Sequence, residues 1–390
     1  MGDPFEAIVG AEHVARPESG ELCGARVLAV VRPADAAEVA ACLRAATESR
    51  VPVVPVGGGT KLGFGNDLDA RECVRLELGR LSRELALDPD EGVADVGAGV
   101  ELEPLARAAA AVGKTTSFEA LRPGATVGGA IAADPVGLDF SPDARTRDDL
   151  LGLEVALANG ELARAGGRVV KNVTGFDLVR LHCGAFGTLG VVTRATVRLR
   201  AAPEAAATAR ARFASFDAAF AALAQAPAAD GTALRPKDGG VELWCRFRGA
   251  EADVAGRCAR APGERVPAES WSELRAELAA PPAPGTARVR FGGRPSDVTL
   301  LCRALDRATR LVLPRAGFAF ACAEEAALPE LAALAERLGA TFALERAPGA
   351  RATPLDAFGS PPPALALMRA LKARFDPARV LAPGRFVAGI

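Results

Sequence analysis

The sequence predicts an α+β protein of two domains. A glycine-rich first domain covers about residues 1–204, and a smaller α+β domain covers 205–360. A C-terminal helix and tail, 361–390, return to the first domain. Three observations support this. A chain of 390 residues is long enough for more than one core. Before residue 204, short strand-like runs adjoin unusual glycine clusters. After it the clusters stop, and alanine-rich helical stretches alternate with strand-like pieces.

Residues 34–50, "ADAAEVAACLRAATESR", read as an amphipathic helix, and "VPVVPV" (51–56) as a short strand. "CVRLEL" (73–78) and "EGVADVGAG" (91–99) read as strands, and "VELEPLARAAAAVG" (100–113) as a helix stopped at Gly113. "LLGLEVALANGELARA" (150–165) is two strands joined by Asn159-Gly160, a strong hairpin signal. "GTLGVVTRATVRLRAAP" (187–203) reads as one long alternating strand. In the second domain, helices are expected over 215–227, 270–280, 296–310 and 325–339, and strands over 241–249, 286–293 and 318–323. "PPAPG" (281–285) and "GSPPPA" (359–364) are linkers or loops.

Composition removes several function classes. The formal net charge is -1, so nothing steers the chain towards nucleic acid or an anionic membrane. No run of 18 apolar residues occurs, which argues against a spanning helix. The N-terminus lacks a basic segment followed by an apolar one, and Glu6 stands where a myristoylation motif needs Ser or Thr. The expected location is therefore cytoplasmic, with any membrane association peripheral and through partner subunits. The closest cysteines, Cys245 and Cys258, are too far apart for a zinc or iron–sulfur motif, so no metal site is expected. Scattered cysteines in such a chain read as reduced, buried, small hydrophobes. There is no tyrosine, and the only histidines are His13 and His182.

"VPVVPVGGGTKLGFGN" (51–66) raises the functional question. Three consecutive glycines cost more backbone entropy than an ordinary loop needs. Their order does not fit a P-loop, and the residues after them do not start a helix. Gly97-x-Gly99-x-x-Leu102 has a strand, turn and helix, but leucine replaces the third glycine of a dinucleotide-binding turn. Two readings remain: a concavity of backbone N–H groups that holds a pyrophosphate, or a tight turn with no ligand. Two further glycine segments favour an extended ligand. "RPGATVGGAIAAD" (122–134) reads as a second glycine-dense loop, and "CGAFGTLGVVTRATVRL" (183–199) as a third.

Together with "RDDLLGLEVALANGELARAGGRVVKNVTGFDL" and the closing "FDPARVLAPGRF", these segments resemble the FAD-binding PCMH-type domain of the vanillyl-alcohol oxidase superfamily. Within it, "KNVTGFDLVRLHCGAFGTLGVVT" is most similar to the FAD-binding E subunit of bacterial glycolate oxidase. The resemblance covers about residues 25–203 and the C-terminal motif. It implies a PCMH-type two-subdomain FAD-binding fold followed by a smaller α+β domain. It also implies that Gly57, Gly58, Gly59, Thr60 and Lys61 bind the FAD pyrophosphate. Pro123, Gly124, Ala125, Thr126, Gly128 and Gly129 would run beside the ribityl chain and flavin. Gly187, Gly190, Val191 and Val192 would lie against the adenine side. Related enzymes attach flavin covalently through His or Cys near these loops. Neither occurs in 51–66 or 119–134, so non-covalent FAD is expected.

Three departures stand out. "GLDFSPDARTRDDLLG" keeps Arg147-Asp148 but alters the residues before it; Phe176 replaces the usual tyrosine; Ala382 replaces an asparagine of the closing motif. Residues 205–390 contain no histidine, so the histidine–metal site of related flavin dehydrogenases cannot form there. No catalytic group stands out. His182 and Lys171 are the candidates, although His182 also reads as a satisfied core histidine, and Asp177 as a residue bracing a turn. The resemblance therefore implies an auxiliary flavin subunit of a glycolate oxidase complex that acts on a small hydroxy acid. Its partners would be a related FAD subunit carrying the histidine cluster and an iron–sulfur subunit. A self-sufficient FAD-dependent hydroxy-acid or alcohol oxidoreductase is the alternative, and a scaffold paralogue without FAD a third reading.

Overall fold

A computed structural model describes residues 3–139, 145–170, 175–305, 308–346 and 355–390. The chain forms two compact units. The first comprises Met1–Pro135, Arg145–Ala201 and Pro361–Ile390, the second Val136–Ala144 and Ala202–Ser360. The sequence-based boundaries at 204/205 and 360/361 differ from these chiefly at 136–144, which go with the second unit. Asp139 shows why: it accepts hydrogen bonds from Trp271 Nε1 at 3.1 Å and Arg275 Nη2 at 2.7 Å.

The first unit is built on two larger sheets. In one, Ala25–Val31, Glu72–Glu77 and Val53–Val56 are parallel neighbours. The crossover helix Ala36–Ser49 is capped by Asp35, which accepts from the Glu38 backbone N–H at 2.9 Å. Pro55 is tolerated because Val53–Val56 is the last strand of that sheet path. Beyond it runs the C-terminal segment. Val53 N–H donates to the Val380 carbonyl at 2.7 Å and Ala382 N–H to the Val53 carbonyl at 2.9 Å. Val380, Leu381 and Ala382 are buried there as core residues.

The other sheet is antiparallel, ordered Leu162–Gly166, Leu150–Ala156, Val191–Arg198, Val93–Gly97, Leu85–Asp88. The hairpin at Asn159-Gly160 forms, with Gly160 at φ +80°. The expected strand over 187–203 is shorter than its alternation suggests. It begins at Val191 and ends at Arg198, and residues 187–190 are a loop. Gly187 has φ +72°, which no strand position accepts.

The second unit carries, among the described residues, an eight-stranded antiparallel sheet. Helices Phe216–Gln225, Glu251–Arg260, Val298–Leu305 and Leu328–Arg337 contribute to its core with Val254, Leu301, Leu328 and strand residues such as Phe247 and Phe291. One expectation needs correction, and one strand lies where the sequence predicts no element. The helix expected over 296–310 stops at Leu305, and Thr309–Leu313 is a strand paired with Phe318–Glu324. Ala205–Phe213 is also a strand despite its alanines, because it lies between Gly240–Gly249 and Glu264–Val266 and pairs with both. Strand pairing on two sides overrides weak local propensity.

All eight cysteines are free. Burial pushes the thiols of Cys42, Cys73, Cys245 and Cys302 up to about 12.

Candidate cofactor-binding site

The strand Val53–Val56 delivers the chain into the triple glycine. A Cβ on Gly57 would lie 2.1 Å from Thr126 Oγ1, and one on Gly58 would lie 1.7 Å from the Gly124 carbonyl oxygen. Gly59 has φ +69°. The immediate neighbour of the first glycine segment is therefore the second glycine segment. Arg122 spans the two, donating from Nη1 to the Thr60 carbonyl at 2.6 Å. Residues 62–66 are held from the C-terminus. Buried Arg385 donates to the carbonyls of Asn66 at 2.5 Å, Leu62 at 3.1 Å and Phe64.

The second segment is not a loop throughout. Val127–Ala133 is a helix whose N-cap is Thr126, with Oγ1 accepting from the Gly129 N–H at 3.2 Å. Its glycines mask it in the sequence, because glycine is a poor helix former. Gly128 is needed for packing: its Cβ would meet Ala98 Cβ at 2.8 Å. The third segment runs back along this helix. Gly184 N–H donates to the Ile131 carbonyl at 2.8 Å and Phe186 N–H to the Ala132 carbonyl at 2.9 Å.

An open cleft lies over this junction. Gly57, Gly58, Gly59, Thr60, Lys61, Ala125, Thr126 and Gly129 line it. An adjoining pocket is lined by Gly57, Gly128, Gly129, Gly187, Gly190, Val191 and Val192. The two share Pro55, Gly57, Gly129, Ala132 and Phe186. Pro123 and Gly124 line neither; Gly124 instead makes the turn at φ +75° that brings its carbonyl against Gly58. Lys61, Arg122 and Arg385 face the larger cleft against one carboxylate, Glu119. Lys61 Nζ lies 5.4 Å from the Phe64 ring centroid. Glycine backbone in the wall and an excess of cations suit a long, anionic dinucleotide, so the residues fit FAD.

His182 lines the smaller pocket with a buried side chain, its ring edge-on to Phe375 at 5.9 Å. Burial lowers its pKa to about 4. Asp177 caps the helix Leu178–His182, accepting from the Arg180 N–H at 3.0 Å. Phe176 is 95% exposed. Lys171 lies outside the described residues, as do 140–144 of the altered stretch. Among the described residues, no group of three or more His, Cys, Asp or Glu could hold a metal ion. Sequence reasoning missed Arg122, Phe186 and Arg385 as parts of the site. The only signals were an arginine directly before Pro-Gly, a phenylalanine between two glycines, and the arginine of the closing motif.

The three glycine segments line a cleft and an adjoining pocket of one α+β unit. Residues 27–166 match the FAD binding domain family. A D-lactate dehydrogenase of Archaeoglobus fulgidus is 39% identical over 44% of this chain and 38% of its own length. Glycolate oxidase subunit GlcD of Bacillus subtilis is 37% identical over 49% of this chain and 41% of its own. The chain thus spans about two fifths of the length of these relatives. Glycolate oxidase subunit GlcE of Escherichia coli is 29% identical over 59% of this chain and 65% of its own. Among solved structures, an alkyldihydroxyacetonephosphate synthase shares the fold, with a TM-score of 0.72 at 14% identity, covering 97% of this chain and 84% of that one. No helix among the described residues is long and apolar enough to cross a membrane.

The close approach of the glycine segments makes two substitutions diagnostic. Gly58→Ala should lower stability by at least ~2 kcal/mol in urea unfolding, because its Cβ meets backbone that cannot rotate away. Gly129→Ala adds a methyl to the cleft wall inside a helix. The new Cβ would lie 3.2 Å from Thr126 Oγ1 and meet no backbone, so the substitution should cost less stability than Gly58→Ala while weakening FAD binding in a fluorescence titration. His182 supplies a further expectation. Its folded pKa lies below the ordinary 6.5, so the unfolded chain binds the extra proton between about pH 4 and 6.5. Stability should fall as pH drops through that window, by at most ~3 kcal/mol from this group. Urea midpoints across the window should be flatter for His182→Gln than for the wild type.

Proposed function

We propose that this chain is the FAD-binding subunit of a glycolate oxidase or dehydrogenase complex that oxidises a 2-hydroxy acid, glycolate to glyoxylate, as an auxiliary flavin subunit. Its partners are a related FAD subunit carrying a histidine cluster and an iron–sulfur subunit. The observation that carries this reading is a cation-rich cleft lined by the first two glycine segments, with an adjoining pocket lined by the third, in a chain with no histidine after residue 182. Likeness to two glycolate oxidase subunits supports it.

FAD, when bound, supplies a two-electron acceptor for hydride. The chain's own residues bind and orient it. The backbone of Gly57, Gly58 and Gly59 borders the cleft, and Lys61, Arg122 and Arg385 bring positive charge to it. The reaction also needs a base for the hydroxyl proton and a cation for the carboxylate. With histidine missing after residue 182, the partner subunit supplies the base. The alternative is a self-sufficient hydroxy-acid or alcohol oxidoreductase, favoured by one observation: His182 lines the pocket and stays neutral at physiological pH.

The purified chain should show flavin absorption near ~370 and ~450 nm, a property of the cofactor. A colourless protein that cannot be reconstituted with FAD would point to the scaffold reading. Acid precipitation should leave the yellow colour in the supernatant, because no His or Cys occurs in residues 51–66 or 119–134. Affinity purification of the tagged chain from its own cells should bring down a histidine-bearing flavin subunit and a cysteine-rich subunit. Glycolate oxidation by the lone chain at the rate of the complex would sink the auxiliary role.

A further inference from the structure

Lys372 lies on the helix Leu365–Phe375, far in sequence from every glycine segment, and is buried. Its ammonium donates to the Asp376 carboxylate at 2.6 Å, the Leu381 carbonyl at 2.8 Å and the Thr188 carbonyl at 2.9 Å. These three acceptors match its three N–H donors. Asp376 is fully buried and also accepts from the backbone N–H groups of Val380 at 3.0 Å and Leu381 at 2.8 Å. A buried ion pair gains little net stability over an apolar pair of the same shape, so stability alone does not account for it.

The segments that the pair touches do account for it. Thr188 belongs to the third glycine segment, between Gly187 and Gly190, which line the smaller pocket. Leu381 bridges to Val53, the first residue of the strand that leads into Gly57. One ammonium thus ties the third segment to the chain that carries the first. Gly187 comes against that same strand, where a Cβ would lie 3.0 Å from Pro55 Cγ.

We propose that Lys372 is a positioning residue for the cofactor cleft: it fixes the Gly187–Gly190 wall against the Gly57 wall. This rests on the FAD reading above. Lys372→Met should bind FAD at least tenfold more weakly in a titration of the full chain followed by flavin fluorescence, at a temperature where the variant is folded. Leu43→Ala, a core substitution in the same unit, should lower thermal stability comparably and bind FAD with wild-type affinity. Wild-type affinity for Lys372→Met would overturn the proposal, as would an equal loss in Leu43→Ala. Failure of the wild-type chain to bind FAD would sink the FAD reading instead. If Lys372→Met does not fold, native-state hydrogen exchange on the wild-type chain decides. The amides of 184–190 and 376–381 should open together, and separate opening would overturn the proposal.

Discussion

Two glycine segments press so closely together that side chains are excluded between them, and much of the first unit is arranged around that contact. With Gly57 facing the Thr126 hydroxyl and Gly58 facing the Gly124 carbonyl, the strand Val53–Val56 and the helix Val127–Ala133 end at a common junction. The cleft is the space this junction leaves open. Its glycines therefore serve the packing of protein on protein first. The bare wall offered to a ligand is a consequence of that packing, and Gly129 is the position where the wall itself lacks a side chain.

The C-terminal segment completes the junction from the other side. Arg385 gathers three carbonyls of the turn after the triple glycine, Phe186 stacks on Phe386 at 5.4 Å, and Lys372 reaches Thr188. Each contact joins residues hundreds of positions apart or nearly so. The entropy lost in closing such long loops is offset by buried apolar surface at Val380, Leu381 and Ile390. The buried Lys372 and Arg385, bonded to backbone carbonyls, then choose one arrangement among those the apolar contacts allow.

The second unit has a different character. Its sheet carries arginines of low exposure that are paired with carboxylates. Arg235 lies between Glu242 and Glu277, and Arg288 is held by Glu345 and the carbonyls of Leu278 and Ala280. Arg235 and Arg210 also lie over the Trp244 ring at 5.3 and 5.5 Å. These contacts satisfy the arginines structurally, and the unit contributes no histidine to any chemistry.

Local signals were legible where geometry is local. The Asn159-Gly160 hairpin and the helix Ala36–Ser49 with its Asp35 cap arise from neighbours in the chain. The glycine segments were legible as a group, because few folds concentrate glycine beside strands three times. Hidden elements were those whose state is decided by distant partners. Ala205–Phe213 becomes a strand through pairing on both sides, and Val127–Ala133 becomes a helix because Gly128 must pack on Ala98. The amino-acid order by itself favoured an extended ligand over a bare turn and determined that histidine is missing after residue 182. Only the tertiary structure decided which atoms meet across the cleft. Arg122, Phe186, Arg385 and Lys372 gain their roles from contacts at long sequence separation, and no periodicity or spacing encodes those.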